Sequence, residues 1–227
     1  MVTILPCHVS LIDDANDASS RCNCQLRQTP SERLATRELA NTPSQFAFVS
    51  HEENTYIIVP SVSSERRQFI PVGFMHPDVI ASNLCLIIPN ANVYHFGVLT
   101  STMHNAWMRT VCGRLKNDYR YSAGIVYNNF PWPENPTEKQ KQIIEAAAQG
   151  VLDARAEFPG SSLADLYDPL TMPPVLLKAH QKLDKAVDAA YGKTNFKTEA
   201  ERVAFLFELY QKYTSLFVPE KAKRRKV

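Results

Sequence analysis

A short run of hydroxyl-bearing and charged side chains lies between two segments of strand-like composition, so we expect it to form an exposed loop. Its members are Ser63, Ser64, Glu65, Arg66 and Arg67. Hydroxyl and guanidinium groups are the donors that proteins place at DNA phosphates and base edges, and a glutamate can accept from a cytosine amino group. The simpler alternative is a solvated turn held together by ion pairs.

A second basic group follows further along the chain, where we expect a helix end and the next strand. Its cationic members are Arg109, Arg114, Lys116 and Arg120. Together the two groups predict a DNA-binding surface without indicating which residues read bases. Residues 220–227 form a basic tail with five positive charges, which would bind any polyanion.

The chain lacks the patterns of the common catalytic sites. An amino-methyltransferase needs a glycine-rich turn for its nucleotide cofactor, whereas the seven glycines here are scattered, and the prolines of residues 128–133 do not follow the order of its catalytic motif. Cys22 and Cys24 form a single close pair, which is short of the four ligands of a zinc site. His104 and His180 are more simply explained as structural residues. We therefore predict no catalytic, cofactor-binding or metal-binding residue in this chain.

The charge distribution separates two parts of the sequence. The net charge is only +2, but residues 1–132 contain nine arginines and one lysine, and lysine dominates afterwards. Arginine offers a planar fork of donors and lysine a point charge, so the two parts suit different tasks. Five cysteines without paired spacing, no apolar run of membrane-spanning length and no secretory signal predict a cytoplasmic chain with no membrane partner.

The positions of prolines and apolar residues predict an α+β fold with a boundary at the proline-rich residues 130–136. Residues 1–30 lack periodicity and are expected to be poorly structured. Residues 31–132 predict a mixed β-sheet domain, with short strands over 46–49, 56–59, 69–74, 84–88 and 92–98, a helix over 100–112, and further strands over 119–121 and 125–127. Residues 133–219 predict a helical domain of about three helices.

Start and stop signals define those three helices. Thr137 with Gln140, and Thr198 with Glu201, have the spacing of capping boxes, and Pro174 stands at a first-turn position. Gly192 predicts the end of the second helix. Each helix has an apolar stripe that requires a packing partner, so we expect the helices to pack on one another and on the sheet domain.

Several longer strings resemble one protein family. They are, in order, VSSERR (62–67), FIPVGF (69–74), YHFGVLTS (94–101), CGRLK (112–116), YNNFPWP (127–133) and SSLADLYDPLTMPP (161–174). In this order they resemble the C-terminal third of MmeI-like enzymes, which are single-chain bacterial restriction–modification proteins that methylate adenine in DNA. The resemblance covers residues 31–213.

The resemblance implies a target-recognition domain followed by a C-terminal helical domain. It implies that this chain is a fragment that reads a DNA sequence, whereas S-adenosylmethionine and Mg²⁺ belong to the methyltransferase and nuclease parts of the family. Double-stranded DNA is the implied partner, together with a methyltransferase domain or subunit. One alternative is a docking remnant that binds a methyltransferase without reading DNA. Another is an enzyme of a different class, which would need a cofactor or metal site.

Overall fold

The computed structural model describes residues 54–194 and 196–215 and the backbone of Leu5–Pro6. Its strands are β1 (Leu5–Pro6), β2 (Tyr56–Pro60), β3 (Val62–Ser63), β4 (Gly73–Met75), β5 (Cys85–Ile88), β6 (Gly113–Leu115) and β7 (Asp118–Arg120). Its helices are α1 (Val93–Thr100), α2 (Thr102–Val111), a π-helical turn (Ala123–Tyr127), α3 (Glu138–Ala156), α4 (Leu163–Leu166), α5 (Pro174–Ala190) and α6 (Glu199–Ser215). This arrangement confirms the predicted α+β class.

Two small antiparallel sheets meet at one residue. The first sheet has the order β1-β5-β2-β4, and the second has the order β3-β7-β6. Pro60, which lacks an amide hydrogen, ends β2. The next residue, Ser61, donates its amide to the Leu84 carbonyl at 2.9 Å and accepts the Tyr121 amide at 2.8 Å. The chain therefore passes directly from the first sheet into the second.

A buried helix replaces one predicted strand. Residues 92–98 were expected to be extended, but they enter α1, whose N-cap Asn92 forms a capping box with His95. The aromatic and branched residues of this segment are typical of a strand. Because α1 is buried over most of its surface, it has no polar face that would reveal a helical period in the sequence. Ser101 ends α1 and caps α2, which confirms the helix expected over 100–112.

Other predicted strands are shorter or absent. The strand expected over 69–74 begins only at Gly73, and residues 125–127 lie in the π-helical turn rather than in a strand. The strand expected over 46–49, the cysteines upstream of it and the basic tail lie outside the described residues.

The long helices α3 and α5 begin and end at the predicted signals, whereas α6 forms only half of its predicted capping box. Thr137 and Gln140 form the expected capping box of α3, and Gly192 follows α5 with a φ of 75°. The connector over 161–174 contains one short helix, α4, whose own capping box joins Ser162 and Asp165. Within the described residues, no helix is both long and apolar enough to cross a membrane.

One hydrophobic core joins the sheet part and the helical part. Phe96 and Trp107 belong to the same buried cluster as Val151 and Leu183. The proline segment is held within this assembly, because Pro131 is buried and its carbonyl accepts the Tyr191 hydroxyl at 2.7 Å. The two parts therefore pack as one body in the described structure.

Gly97 lies where α1 packs closely against α3 and α5. A Cβ at this position would lie 2.9 Å from Ile144 Cγ2 and 3.0 Å from the Ala148 Cβ. We expect Gly97→Ala to lower the free energy of unfolding by about 1–3 kcal/mol, because both neighbours are fully buried and cannot move freely. Urea denaturation would measure this change.

Gly150→Ala in α3 is the matched control, because a Cβ there meets nothing within 4 Å. We expect that change to be neutral or to stabilise the protein by about 0.5–1 kcal/mol through helix propensity. Equal effects at the two glycines would contradict the packing of α1 on α3.

Candidate nucleic-acid interface

The loop over residues 63–67, here called the arginine loop, starts inside the protein and turns outward. Ser63 lies in β3 and is buried, which corrects the expectation that the whole loop is exposed. The Ser64 carbonyl accepts the Arg67 amide at 3.1 Å and closes the turn. Glu65 and Arg66 are exposed at its tip. Arg66 has no side-chain partner among the described residues, so its guanidinium is free to meet a ligand.

The hairpin of β6 and β7, here called the basic hairpin, presents a second set of cations. Lys116 stands at its tip with a φ of 56°, and its side chain is exposed. Arg120 is exposed on β7, whose backbone pairs with Gly113 on one side and Val62 on the other. The Lys116 and Arg120 side chains have no partner among the described residues.

Strand pairing joins the arginine loop to the basic hairpin. Ser63 is the register partner of Tyr119, so β3 adds to the hairpin as a third strand. The Arg114 guanidinium lies 4.2 Å from the centre of the Tyr119 ring, and one of its nitrogens is 3.6 Å from a Glu65 carboxylate oxygen. Two groups that are distant in sequence therefore form one surface, in which four exposed cations outnumber the carboxylates of Glu65 and Asp118. The four are Arg66, Arg114, Lys116 and Arg120.

A buried aromatic pair anchors the basic hairpin to α2. The Tyr121 hydroxyl lies 2.9 Å from His104 Nε2, and the His104 ring meets Phe130 edge-on at 4.5 Å between centroids. Burial raises the pKa of Tyr121 well above its usual value and lowers the pKa of His104 to about 3. Both groups are therefore neutral at pH 7, and they fix the base of the hairpin without adding charge.

A second anchor holds the arginine loop against the helical part. Phe69 stacks on His180 at 4.1 Å between ring centroids, and the Tyr167 hydroxyl lies 2.7 Å from His180 Nε2. Arg67 points toward α4, with an Nη2 atom 3.5 Å from the Ala164 carbonyl. Of the two loop arginines, Arg66 alone is directed to solvent.

Arg109 lies apart from the exposed cations. Its guanidinium binds both carboxylate oxygens of Glu199 at 2.7 and 2.8 Å and donates to the Gln68 carbonyl at 2.8 Å. Its side chain is only 16% exposed. This predicted DNA-binding residue is thus engaged within the protein, where it ties the start of α6 to the segment that follows the arginine loop.

The Arg109–Glu199 contact predicts a measurable coupling between α2 and α6. In a double-mutant cycle with Arg109→Gln and Glu199→Gln, we expect a coupling of about 0.5–1 kcal/mol, discounted because Glu199 is 44% exposed to solvent. Urea denaturation of the four proteins measures it. A coupling near zero would mean that this ion pair does not help to hold α6, which would then depend on the Arg202–Asp188 pair and its apolar contacts.

Within the ranges 54–194 and 196–215, no three histidine, cysteine or acidic side chains are grouped so as to hold a metal ion. The exposed surface of the loop and hairpin instead offers hydrogen-bond donors and positive charge.

Residues 15–134 match the family model described as the MmeI target recognition domain, and residues 136–218 match the model of the MmeI C-terminal domain. The chain belongs to the MmeI family. Both the arginine loop and the basic hairpin lie within the segment matched by the target-recognition model, and α3, α5 and α6 lie within the segment matched by the C-terminal model.

Individual relatives agree with the MmeI family models. DNA methyltransferase A of Bacillus subtilis (strain 168) is 48% identical over 179 residues, which cover 79% of this chain and 20% of the relative. A solved structure of the Type IIL restriction–modification enzyme MmeI in complex with DNA is 53% identical, with a TM-score of 0.80, and the match covers 86% of this chain and 26% of that chain. The chain thus spans about a fifth to a quarter of the length of these MmeI-family proteins.

Sequence reasoning missed how the interface of this MmeI-family chain is assembled. The two-residue strand β3 is too short to be recognised from composition, so its pairing with β7 could not be predicted. The structural role of Arg109 depends on Glu199, which is distant in sequence. The string CGRLK followed by a tyrosine-rich segment was the available signal for a hairpin.

Proposed function

We propose that this chain binds duplex DNA and reads its sequence for a restriction–modification methyltransferase. The observation that carries the proposal is the pairing of β3 with β7, which combines the arginine loop and the basic hairpin into one exposed cationic surface. A two-stranded hairpin fits the major groove of B-DNA, where each base pair offers a distinct pattern of donors and acceptors. The similarity to an MmeI structure solved in complex with DNA supports this assignment.

The proposal divides the work between separate parts of a larger system. Arg66, Lys116 and Arg120 supply exposed donors, and buried aromatic pairs hold them in place. Binding of S-adenosylmethionine and Mg²⁺, and the transfer of a methyl group to adenine, would belong to a methyltransferase domain or subunit outside these residues. Because bacterial DNA lies in the cytoplasm, this function would place the chain there.

Fluorescence anisotropy with a mixed-sequence duplex at several salt concentrations tests the proposal. We expect tight binding at low salt that weakens steeply, because each phosphate contact contributes about 0.9 to the slope of log affinity against log salt. A slope of several units that survives replacement of the five basic residues in 220–227 by glutamine supports a DNA-binding domain. Binding that disappears with those tail charges would contradict it.

A docking function is the second candidate, and one apolar patch favours it. Val79, Ile80 and Leu84, which follow β4, are 44%, 50% and 69% exposed. Exposed apolar clusters can mark protein contacts. If this is the main function, the chain should comigrate with a family methyltransferase domain in gel filtration while failing to bind DNA.

A further inference from the structure

The outward face of α5 carries three lysines and no acidic group. Lys178, Lys182 and Lys185 are spaced four and three residues apart, so they share one side of the helix. All three are exposed. The buried residues of α5, which include His180, Leu183 and Val187, lie on the opposite side.

Both carboxylates of α5 are committed to the protein interior. Asp184 accepts the Thr102 amide and the Thr102 hydroxyl, each at 2.6 Å, and thereby caps α2. Asp188 accepts two hydrogen bonds from Arg202. Throughout the part of the chain that the structure describes, no carboxylate lies within 4 Å of the three lysine ammonium groups.

The spacing of these lysines does not stabilise the helix. Lys178 and Lys182 are like charges four residues apart, which repel, whereas a glutamate at either position would form a favourable pair with the other lysine. An extended anion would remove the repulsion and gain from all three charges. Lysine ammonium groups act as point charges and suit contacts to phosphates, which carry no sequence information.

The position of the lysine face fits a contact with the same duplex that the arginine loop would bind. His180, on the buried side of α5, stacks on Phe69, which is two residues beyond Arg67 in the sequence. An α-helix with its side chains is about 10–12 Å across. The three lysines point away from Phe69, so a duplex would meet both surfaces by passing beside α5, about one helix diameter from the foot of the arginine loop.

We propose that Lys178, Lys182 and Lys185 bind the phosphate backbone of DNA beside the segment contacted by the arginine loop and the basic hairpin. This inference rests on the proposed function and deepens it. The helical domain then contributes affinity without sequence preference, whereas the recognition domain contributes both affinity and preference.

The test compares two triple variants of the full chain that remove the same charge. One is Lys178→Gln, Lys182→Gln, Lys185→Gln, and the other is Lys139→Gln, Lys141→Gln, Lys212→Gln, on other exposed or ion-paired positions. Anisotropy with a mixed-sequence duplex of about 30 base pairs gives the dissociation constant and the salt slope of each. We expect the α5 variant to lower the slope by about 2–3 units, at about 0.9 per contact, and to weaken binding at least tenfold. The other variant should change the slope by less than about one unit.

Four outcomes test the inference and distinguish its failure from that of the proposed function. Replacement of the same three lysines by arginine should retain binding, because the charges remain. If the wild type binds DNA but the two glutamine variants behave alike, the α5 inference is wrong and the proposed function stands. If the wild type does not bind DNA, both are wrong. Binding of anionic phospholipid vesicles that depends on the α5 lysines, without an effect on DNA affinity, would also overturn the inference.

Discussion

Replacing Arg66, Lys116 and Arg120 by glutamine should weaken binding to duplex DNA by about 100-fold at a salt concentration near 0.1 M. These three side chains are exposed and have no partner among the described residues, so they lose no internal contact when changed. At roughly 1 kcal/mol for each charge-assisted contact, three contacts account for this factor. The salt slope should fall by about 2–3 units. Fluorescence anisotropy measures both quantities.

The control for this variant is Lys139→Gln, Lys141→Gln, Lys212→Gln, which removes the same net charge from the helical part. A long-range charge effect would lower affinity equally in both variants, whereas direct contact predicts a much larger loss at the loop and hairpin. Unchanged affinity in the Arg66, Lys116, Arg120 variant would mean that this surface does not face DNA. Equal melting temperatures would show that neither variant alters the fold.

Acidification from pH 7 to pH 5 should lower the free energy of unfolding by about 4 kcal/mol. Burial lowers the pKa values of His104 and His180 to about 3, and the Arg155 cation adds to the effect at His180. In the unfolded chain both histidines titrate near 6.5. As the pH falls below 6.5, the two histidines bind protons in the unfolded state but not in the folded state. The free energy of unfolding therefore decreases by about 2 kcal/mol for each histidine by pH 5.

Urea denaturation at the two pH values tests this expectation. Burial raises the pKa of Asp184, which acts in the opposite direction if the carboxyl begins to protonate in this range. His104→Gln should be less stable than the wild type at pH 7 but should lose only about half as much on acidification, since His180 is then the one strongly shifted histidine left among the described residues. If that variant loses as much free energy of unfolding on acidification as the wild type does, the pH dependence arises from groups other than His104.

The sequence predicted the helical part more completely than the sheet part. The α3 and α5 helices are half exposed, so their apolar residues repeat with a helical period and their ends carry recognisable signals. Even there, a single apolar stripe is too coarse a description, because Ile143 is 48% exposed while its neighbour Ile144 is fully buried. At α6, Thr198 accepts the Glu201 amide as predicted, but the Glu201 carboxylate accepts from Lys197 instead of Thr198.

The sheet part depends on contacts that sequence patterns do not contain. Residues 92–98 have the alternation of a strand, and burial over most of the surface of α1 removed the polar face that would have identified a helix. The residues of the arginine loop and basic hairpin were selected by chemical type, but their assembly requires the register of Ser63 opposite Tyr119. Whether each selected residue contacts DNA stays a prediction.

The proline-rich junction between the recognition domain and the helical domain is a boundary in sequence but not a hinge. The Tyr191 hydroxyl donates to the Pro131 carbonyl, and the Arg155 guanidinium donates to the Val72 carbonyl. The Trp107 ring also packs against the Phe207 ring. A movement of the C-terminal helices would therefore carry the loop and hairpin with it. If parts of related proteins are exchanged, the unit that keeps these contacts extends from the first sheet through α6, because a crossover at the junction would replace one side of each of them.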